Sequence, residues 1–121
     1  IVTTPEIPAI RDADRVIGLL TAKGVDPLLI VNRVDSAMVR RGDMLSIEDV
    51  QDILGIDLIG VIERDESVIV SANTGEPVVY NARSKAGQAF NRVAGRLCGD
   101  NIPIPSIGGG SLLGRIGRLW A

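Results

Sequence analysis

The sequence predicts an α/β fold: a partial parallel sheet with crossover helices. Three short β-branched or aliphatic runs, at residues 1–3, 28–31 and 58–62, alternate with stretches of helical spacing. The alternation is punctuated by Gly24, Gly55 and Gly99, each placed where a helix would stop. Three parallel strands make a poor core by themselves, because such a sheet needs helices on both faces and leaves its edges open. The chain therefore reads as half of a larger sheet, and Ile1, which is not a Met, as a cut edge.

After the first run, Ile7, Ile10, Val16, Ile17, Leu19 and Leu20 recur near helical spacing, with Arg11, Asp12, Asp14 and Arg15 on the other face. Before the third run, Ser46-Ile47-Glu48-Asp49 fits a capping box, and Val50, Ile53 and Leu54 continue a helix that Gly55 ends. Residues 65–70 fit either a β-branched strand or a short helix with acids in its first turn, and the helix is favoured. Thr74-Gly75-Glu76-Pro77 makes a turn. Ser84 opens a further helix whose apolar positions are Ala86, Ala89, Phe90, Val93, Ala94 and Leu97. Residues 1–99 thus form the body. Residues 100–110, with two prolines and three consecutive glycines, read as a flexible linker, and residues 111–121 as a terminal amphipathic helix.

Composition narrows the chemistry. With 45% hydrophobic and 23% charged residues and a mean hydropathy of +0.26, the chain is not intrinsically disordered. Its apolar runs are too short to span a bilayer. It has no histidine and one cysteine, Cys98, which removes Ser-His-Asp and Cys-His catalysis, histidine metal sites and disulfide frameworks. No metal site is expected. Residues 1–110 carry 11 basic against 15 acidic groups, and Arg115 and Arg118 are the only charges after Asp100. An acidic body with 2% aromatic residues argues against a nucleic-acid surface.

Asn32-Arg33-Val34-Asp35 stands at the carboxyl end of the second run, where open α/β sheets bind ligands. An amide there can donate and accept against a base edge, and a guanidinium can lie flat on a purine. The plain alternative is a polar turn. Ile62-Glu63-Arg64-Asp65 falls at the same edge and could supply the other wall of a base pocket through its backbone. Glu63 and Asp65 need not be catalytic, since an acidic helix start explains them. Gly108-Gly109-Gly110-Ser111 has no lysine and follows a linker, so the chain holds no phosphate-binding loop of the Walker A type.

In the tail, Leu112, Leu113, Ile116, Leu119 and Trp120 form one helical stripe, with Gly114, Arg115, Gly117 and Arg118 opposite. A helix this short is marginal in water, and its two glycines cost about 1 kcal/mol each relative to alanine, so it needs a surface to receive its apolar face. The basic opposite face favours an anionic membrane over docking on the body.

The run Val39-Arg40-Arg41-Gly42-Asp43-Met44-Leu45-Ser46-Ile47-Glu48-Asp49-Val50, with Ile59-Gly60-Val61-Ile62 and Ser71-Ala72-Asn73-Thr74-Gly75-Glu76-Pro77-Val78, closely resembles the C-terminal half of the MinD family. These are membrane-associated, ParA-type P-loop ATPases with a deviant Walker A motif, which place the bacterial division site. Thr3-Thr4-Pro5-Glu6 and residues 9–15 look like the strand and helix after that family's switch II. The resemblance covers nearly the whole chain, and the run through Met44 is specific to MinD within the superfamily.

The resemblance implies the C-terminal half of a Rossmann-like P-loop NTPase domain. It implies ATP and Mg2+ as ligands of the full-length protein, an ATP-dependent homodimer, a MinC-like inhibitor and a MinE-like regulator as partners, and a cytoplasmic location on the inner face of the membrane. Residue by residue, Asn32 and Arg33 match the adenine-side motif, and residues 63–65 match the loop flanking the base. Leu112, Leu113, Arg115, Ile116, Arg118, Leu119 and Trp120 match the membrane-targeting helix, and Asp12 and Asp14 lie on the partner-docking helix. Two departures stand out. Glu63 replaces a common proline, and the phosphate loop and switches would all precede Ile1, leaving this stretch without ATP hydrolysis of its own. Asp35 also gives the motif the look of the guanine readers' Asn-Lys-x-Asp, but the wider resemblance favours adenine. The alternatives are a non-catalytic membrane-tethered adaptor and a fragment of another ParA-type positioning ATPase. A receiver-like signalling domain lacks its acidic cluster at the strand ends.

Overall fold

A computed structural model describes residues 1–107. Its elements run β1 (Val2–Thr3), α1 (Ile7–Ala22), β2 (Leu29–Val34), α2 (Ser36–Arg41), α3 (Ile47–Leu54), β3 (Leu58–Glu63), α4 (Glu66–Thr74), a 3-10 turn (Val78–Tyr80) and α5 (Lys85–Leu97). The three strands are parallel in the order β1-β2-β3, so each strand lies beside its neighbour in sequence. This is the α/β architecture expected, with a helix rather than a strand over residues 66–74.

Alternation along the strands sends residues to two faces. Leu29, Val31, Val34 and Val61 join Ile10, Ala13 and Ile17 of α1, Val39 of α2, and Ile47, Val50 and Leu54 of α3 in the larger core. Ile62 packs on Ala86 and Ala89 of α5 across the other face, with Ile30 alongside. There α5 lies so close that a methyl group at Gly60 would run into Val93. The helix faces differ from the expected stripes. On α1, Val16 and Leu19 are exposed and Ala13 is buried, and on α5 Leu97 is exposed and Gly87 buried. Small residues win contact positions because they let backbones come close: a methyl group at Gly87 would run into the Val78 carbonyl of the 3-10 turn.

Helix ends follow local chemistry. Ser46 and Asp49 close the expected capping box, with Asp49 amide to Ser46 hydroxyl and Ser46 amide to Asp49 carboxylate both at 3.1 Å. The short α2 has no counterpart in the hydrophobic pattern. It is nucleated by Asp35, whose carboxylate accepts from the amides of Ala37 and Met38 at 3.0 and 3.1 Å, and ended by Gly42 in the left-handed region (φ 81).

The stretch expected as a flexible linker has neither helix nor strand through Ile107, but it is fastened to the body. Ile107 is buried in the larger core and Ile104 packs against it. Residues 108–110 and the expected amphipathic helix lie outside the described residues.

Gly60→Ala is expected to destabilise the body by about 1–3 kcal/mol, because α5 must move off β3 to admit the methyl group. A lowered denaturant midpoint at unchanged slope is the measurement that checks it.

Candidate functional site

The site is built by an irregularity in β2. Val31 pairs with Val61 and Val34 with Glu63, so two residues of β2, Asn32 and Arg33, oppose the single Ile62 of β3. This is a β-bulge, and Arg33 takes the left-handed conformation it needs, at φ 57. The Asn32 side-chain oxygen accepts from the Arg33 amide at 2.9 Å and braces the turn. The extra residue resets the alternation: Val34 returns to the larger core, while Asn32 and the exposed Arg33 are left at the carboxyl edge of the sheet. Sequence reading placed this motif just past the strand, whereas it lies inside it.

A cleft of about 350 Å³ opens beside the bulge. Asn32 and Arg33 form one wall, residues 63–66 the other, Ile62 the floor, and Val68, Ile69 and Phe90 an apolar flank. The structure thus brings the four sequence-identified residues Asn32, Arg33, Glu63 and Asp65 to one place. Phe90, read from the sequence as a core position, is 36% exposed and lines the cleft. Its helical spacing made it look like its buried neighbours, so no sequence signal marked it.

Asp65 lines this cleft, but its carboxylate is committed to the fold. One oxygen accepts from the Ser67 amide at 2.9 Å, capping α4. The other accepts from the Ser84 hydroxyl at 2.7 Å and the Ala86 amide at 3.1 Å, tying in the start of α5. The Ser67 hydroxyl donates to Ser84 at 2.8 Å. The Ser67 hydroxyl, the Ala86 amide, the Ser84 hydroxyl and the Ser67 amide hold the Asp65 carboxyl far below the usual carboxylate range. Asp65 therefore shapes the cleft by holding the starts of α4 and α5, and its carbonyl accepts from the Val68 amide at 3.1 Å.

A second cleft, of about 530 Å³, lies on the other side of Arg33 and was not foreseen. It is lined by Pro5, Glu6, Asp35, Met38, Met44 and Arg64 among others. Asp35 belongs here and not to the Asn32 cleft. The Met38 and Ala37 amides, with Arg64 and Arg41 nearby, lower its pKa, so it is an ionised helix cap. That commitment removes the geometric basis for a guanine-reading aspartate beside Asn32. The available signal was positional: Pro5 and Glu6 lie just past the carboxyl end of β1, after Thr4.

Asp12 and Asp14 are both exposed on α1 but two residues apart, so they do not share a face. Asp12 sits 3.5 Å from Arg15 and lines a groove along β1 with Val2, Ala9, Val16 and Asn32; Asp14 does not line it. Among the described residues no cluster of acids, histidines or cysteines could hold a metal ion, and no helix is long and apolar enough to cross a membrane.

No protein-family model matches the chain. Individual proteins do. The septum site-determining protein MinD of Synechocystis sp. is 49% identical over 106 residues, spanning 86% of this chain and 40% of its own length. A MinD sequence from Guillardia theta is 56% identical over 104 residues, spanning 84% and 39%. The solved MinD cell division protein of Aquifex aeolicus superposes with a TM-score of 0.84 at 45% identity, over 87% of this chain and 45% of that one. The chain belongs to the MinD family. It spans less than half the length of the MinD relatives it matches and corresponds to their C-terminal part. Two further MinD structures were solved with companions: a MinC:MinD complex from Aquifex aeolicus (TM-score 0.84, 45% identity, 89% of this chain and 45% of that one) and a Mg-ADP complex from Pyrococcus horikoshii (0.69, 30%, 79% and 40%).

Two outcomes test this geometry. Arg33→Gly relieves a left-handed conformation and should match or exceed the parent stability, whereas Arg33→Val should fall about 1–3 kcal/mol below Arg33→Gly, as denaturant midpoints will read. Because the Asp65 pKa is depressed by folding, its contribution is complete above the unfolded value of about 3.9 and is lost as pH falls below it toward the folded value. Asp65→Asn should therefore lower stability at neutral pH, and its deficit should shrink between about pH 5 and pH 2 in acid titrations of the melting temperature.

Proposed function

We propose that this chain supplies the base-binding, partner-docking and membrane-attaching part of a MinD-type ATPase that positions the division site. The observation that carries the reading is the cleft at the carboxyl edge, where Asn32 and Arg33 from one strand face residues 63–66 after the next. A purine fits such a slot. Asn32 pairs with the base edge, Arg33 covers a ring face, the backbone of residues 63–65 completes the polar rim, and Phe90 and Ile69 supply apolar contact. The convergence of Asn32 and Arg33 with residues 63–66 on one cleft supports the base-binding reading over a plain polar turn.

Adenine contacts alone leave a triphosphate without a cradle, so the isolated stretch should neither bind ATP tightly nor release phosphate. Nucleotide-driven dimerisation and hydrolysis belong to the whole protein. The Mg-ADP complex of the Pyrococcus relative supports ATP and Mg2+ as the ligands there, and the MinC:MinD complex supports a MinC-like inhibitor as a partner. Asp12 and Asp14 on α1 serve that inhibitor or a MinE-like regulator. Leu112, Leu113, Ile116, Leu119 and Trp120, with Arg115 and Arg118, attach the protein to the anionic inner face of the membrane. One tail binds weakly, and two tails on one dimer raise occupancy by roughly 10²–10⁴ through effective concentration.

In the full-length protein, Asn32→Ala should weaken ATP binding by about 1–3 kcal/mol in calorimetric titration, and unchanged affinity would return Asn32 to the polar-turn reading. Ile116→Glu or Trp120→Glu should abolish sedimentation with anionic liposomes without altering the melting temperature. A collapse of melting with retained sedimentation would make the tail a packed core element instead. Asp12→Ala with Asp14→Ala should lose inhibitor recruitment at equal membrane occupancy.

A further inference from the structure

The segment after α5 is held by one side chain. The Arg96 guanidinium donates to three carbonyls: Ile102 at 2.8 Å, Pro103 at 2.7 Å and Ile59 at 2.9 Å. The third is notable because Ile59 is itself an extra residue. Leu29 pairs with Leu58 and Ile30 with Gly60, so Ile59 bulges from the amino end of β3. Arg96 thus joins a sheet irregularity to the outgoing chain, and its planar fork suits several acceptors at once.

Other contacts make the segment lie flush. The Asp100 amide donates to Gly95 and the Ile102 amide to Asp100, at 3.0 and 3.1 Å. Gly95 leaves room for this, since a methyl group there would come within 2.6 Å of Ile102. Beyond the clamp, Ile104 and the buried Ile107 insert beside Ile47 and Leu58 in the larger core. The chain therefore crosses from the α5 side, past the amino end of β3, to the side of α3.

We propose that residues 100–107 are a strap, clamped by Arg96, that shortens the tether of the membrane-attaching tail and fixes its departure point beside α3. That point lies against α3 and the start of β3, in a groove that shares no residue with the cleft holding Asn32. The inference rests on the membrane reading of the tail, and it changes the physics of attachment. A flexible linker over residues 100–110 would leave eleven residues between body and tail, whereas a strap ending at Ile107 leaves three. Effective concentration falls roughly as the −3/2 power of tether length, so the strap raises the local concentration of a dimer's second tail roughly five- to tenfold. It also restricts how the body can turn relative to the lipid, because the tether leaves from one fixed point.

The test uses the full-length protein in three forms: parent, Arg96→Ala, and a parent carrying a Gly/Ser segment of strap length inserted after Ile107. Hydrogen exchange is followed at residues 100–107, together with ATP-dependent binding to phosphatidylcholine vesicles containing phosphatidylglycerol. Arg96→Ala should accelerate exchange of the strap by tenfold or more, with β2 and β3 unchanged, and where exchange reaches the unprotected limit the released strap should weaken vesicle binding roughly five- to tenfold. The insertion should weaken binding equally while the strap stays protected. An unprotected strap in the parent, or unchanged exchange in Arg96→Ala, overturns the clamp. A loosened strap or lengthened tether with undiminished vesicle binding overturns its role in attachment. Should Arg96→Ala fail to fold, Arg96→Lys, which cannot serve three carbonyls in one plane, and the insertion carry the test. A parent that ignores vesicles altogether sinks the membrane reading, and the exchange data then judge the clamp separately.

Discussion

The structure turns on one extra residue in the central strand. Both helical layers need β2 to keep its alternation: Leu29 and Val31 face α1 and α3, and Ile30 faces α5. A regular strand would then send Val34 to the thinly covered face and Arg33 into the core. The bulge at Asn32 and Arg33 prevents this. It returns Val34 to the apolar layer and sets an amide and a guanidinium at the rim. The backbone conformation it demands of Arg33 is unfavourable for any side chain but glycine, and packing on both sides of β2 holds it in place. Strain, core and cleft are therefore consequences of the same insertion.

Asp65 plays the complementary part for the second wall. Helix α4 buries no residue of its own, so packing alone would not fix it beside the cleft. A single carboxylate, bonded to the Ser67 amide, the Ser84 hydroxyl and the Ala86 amide, joins the starts of α4 and α5 immediately after β3. Burial positions the first wall and polar bonds position the second. The two walls accordingly differ in their response to pH.

Much of this was legible in the residues. The three strand runs, the Ser46 capping box, the Ser84 cap and the glycine stops are local signals, and each element they mark is present. Helix α2 was missed because six residues are too few to show a period, and its one strong cue, Asp35, was read as part of a ligand motif. The misassigned faces of α1 and α5 arise because small residues such as Ala13 and Gly87 occupy contact positions that a hydrophobic pattern gives to larger ones. At the site, the residue types at both strand ends pointed to one edge, and the resemblance to MinD named them. The bulge itself was not legible, since register depends on the partner strand. Nor was the committed state of Asp65, whose partners lie up to 21 residues downstream.

Ile107 belongs to the same buried cluster as Ile10 and Ala13, which precede it by nearly the whole described length of the chain. During synthesis α1, α2 and α3 all emerge before it. Until residue 107 clears the ribosome, the layer they form lacks one of its buried side chains and presents an apolar gap to the cell. The β-α units can assemble in the order in which they are made, because each strand pairs with its predecessor. Completion of this layer nevertheless waits for Ile107, so its last buried side chain arrives long after the helices that surround it.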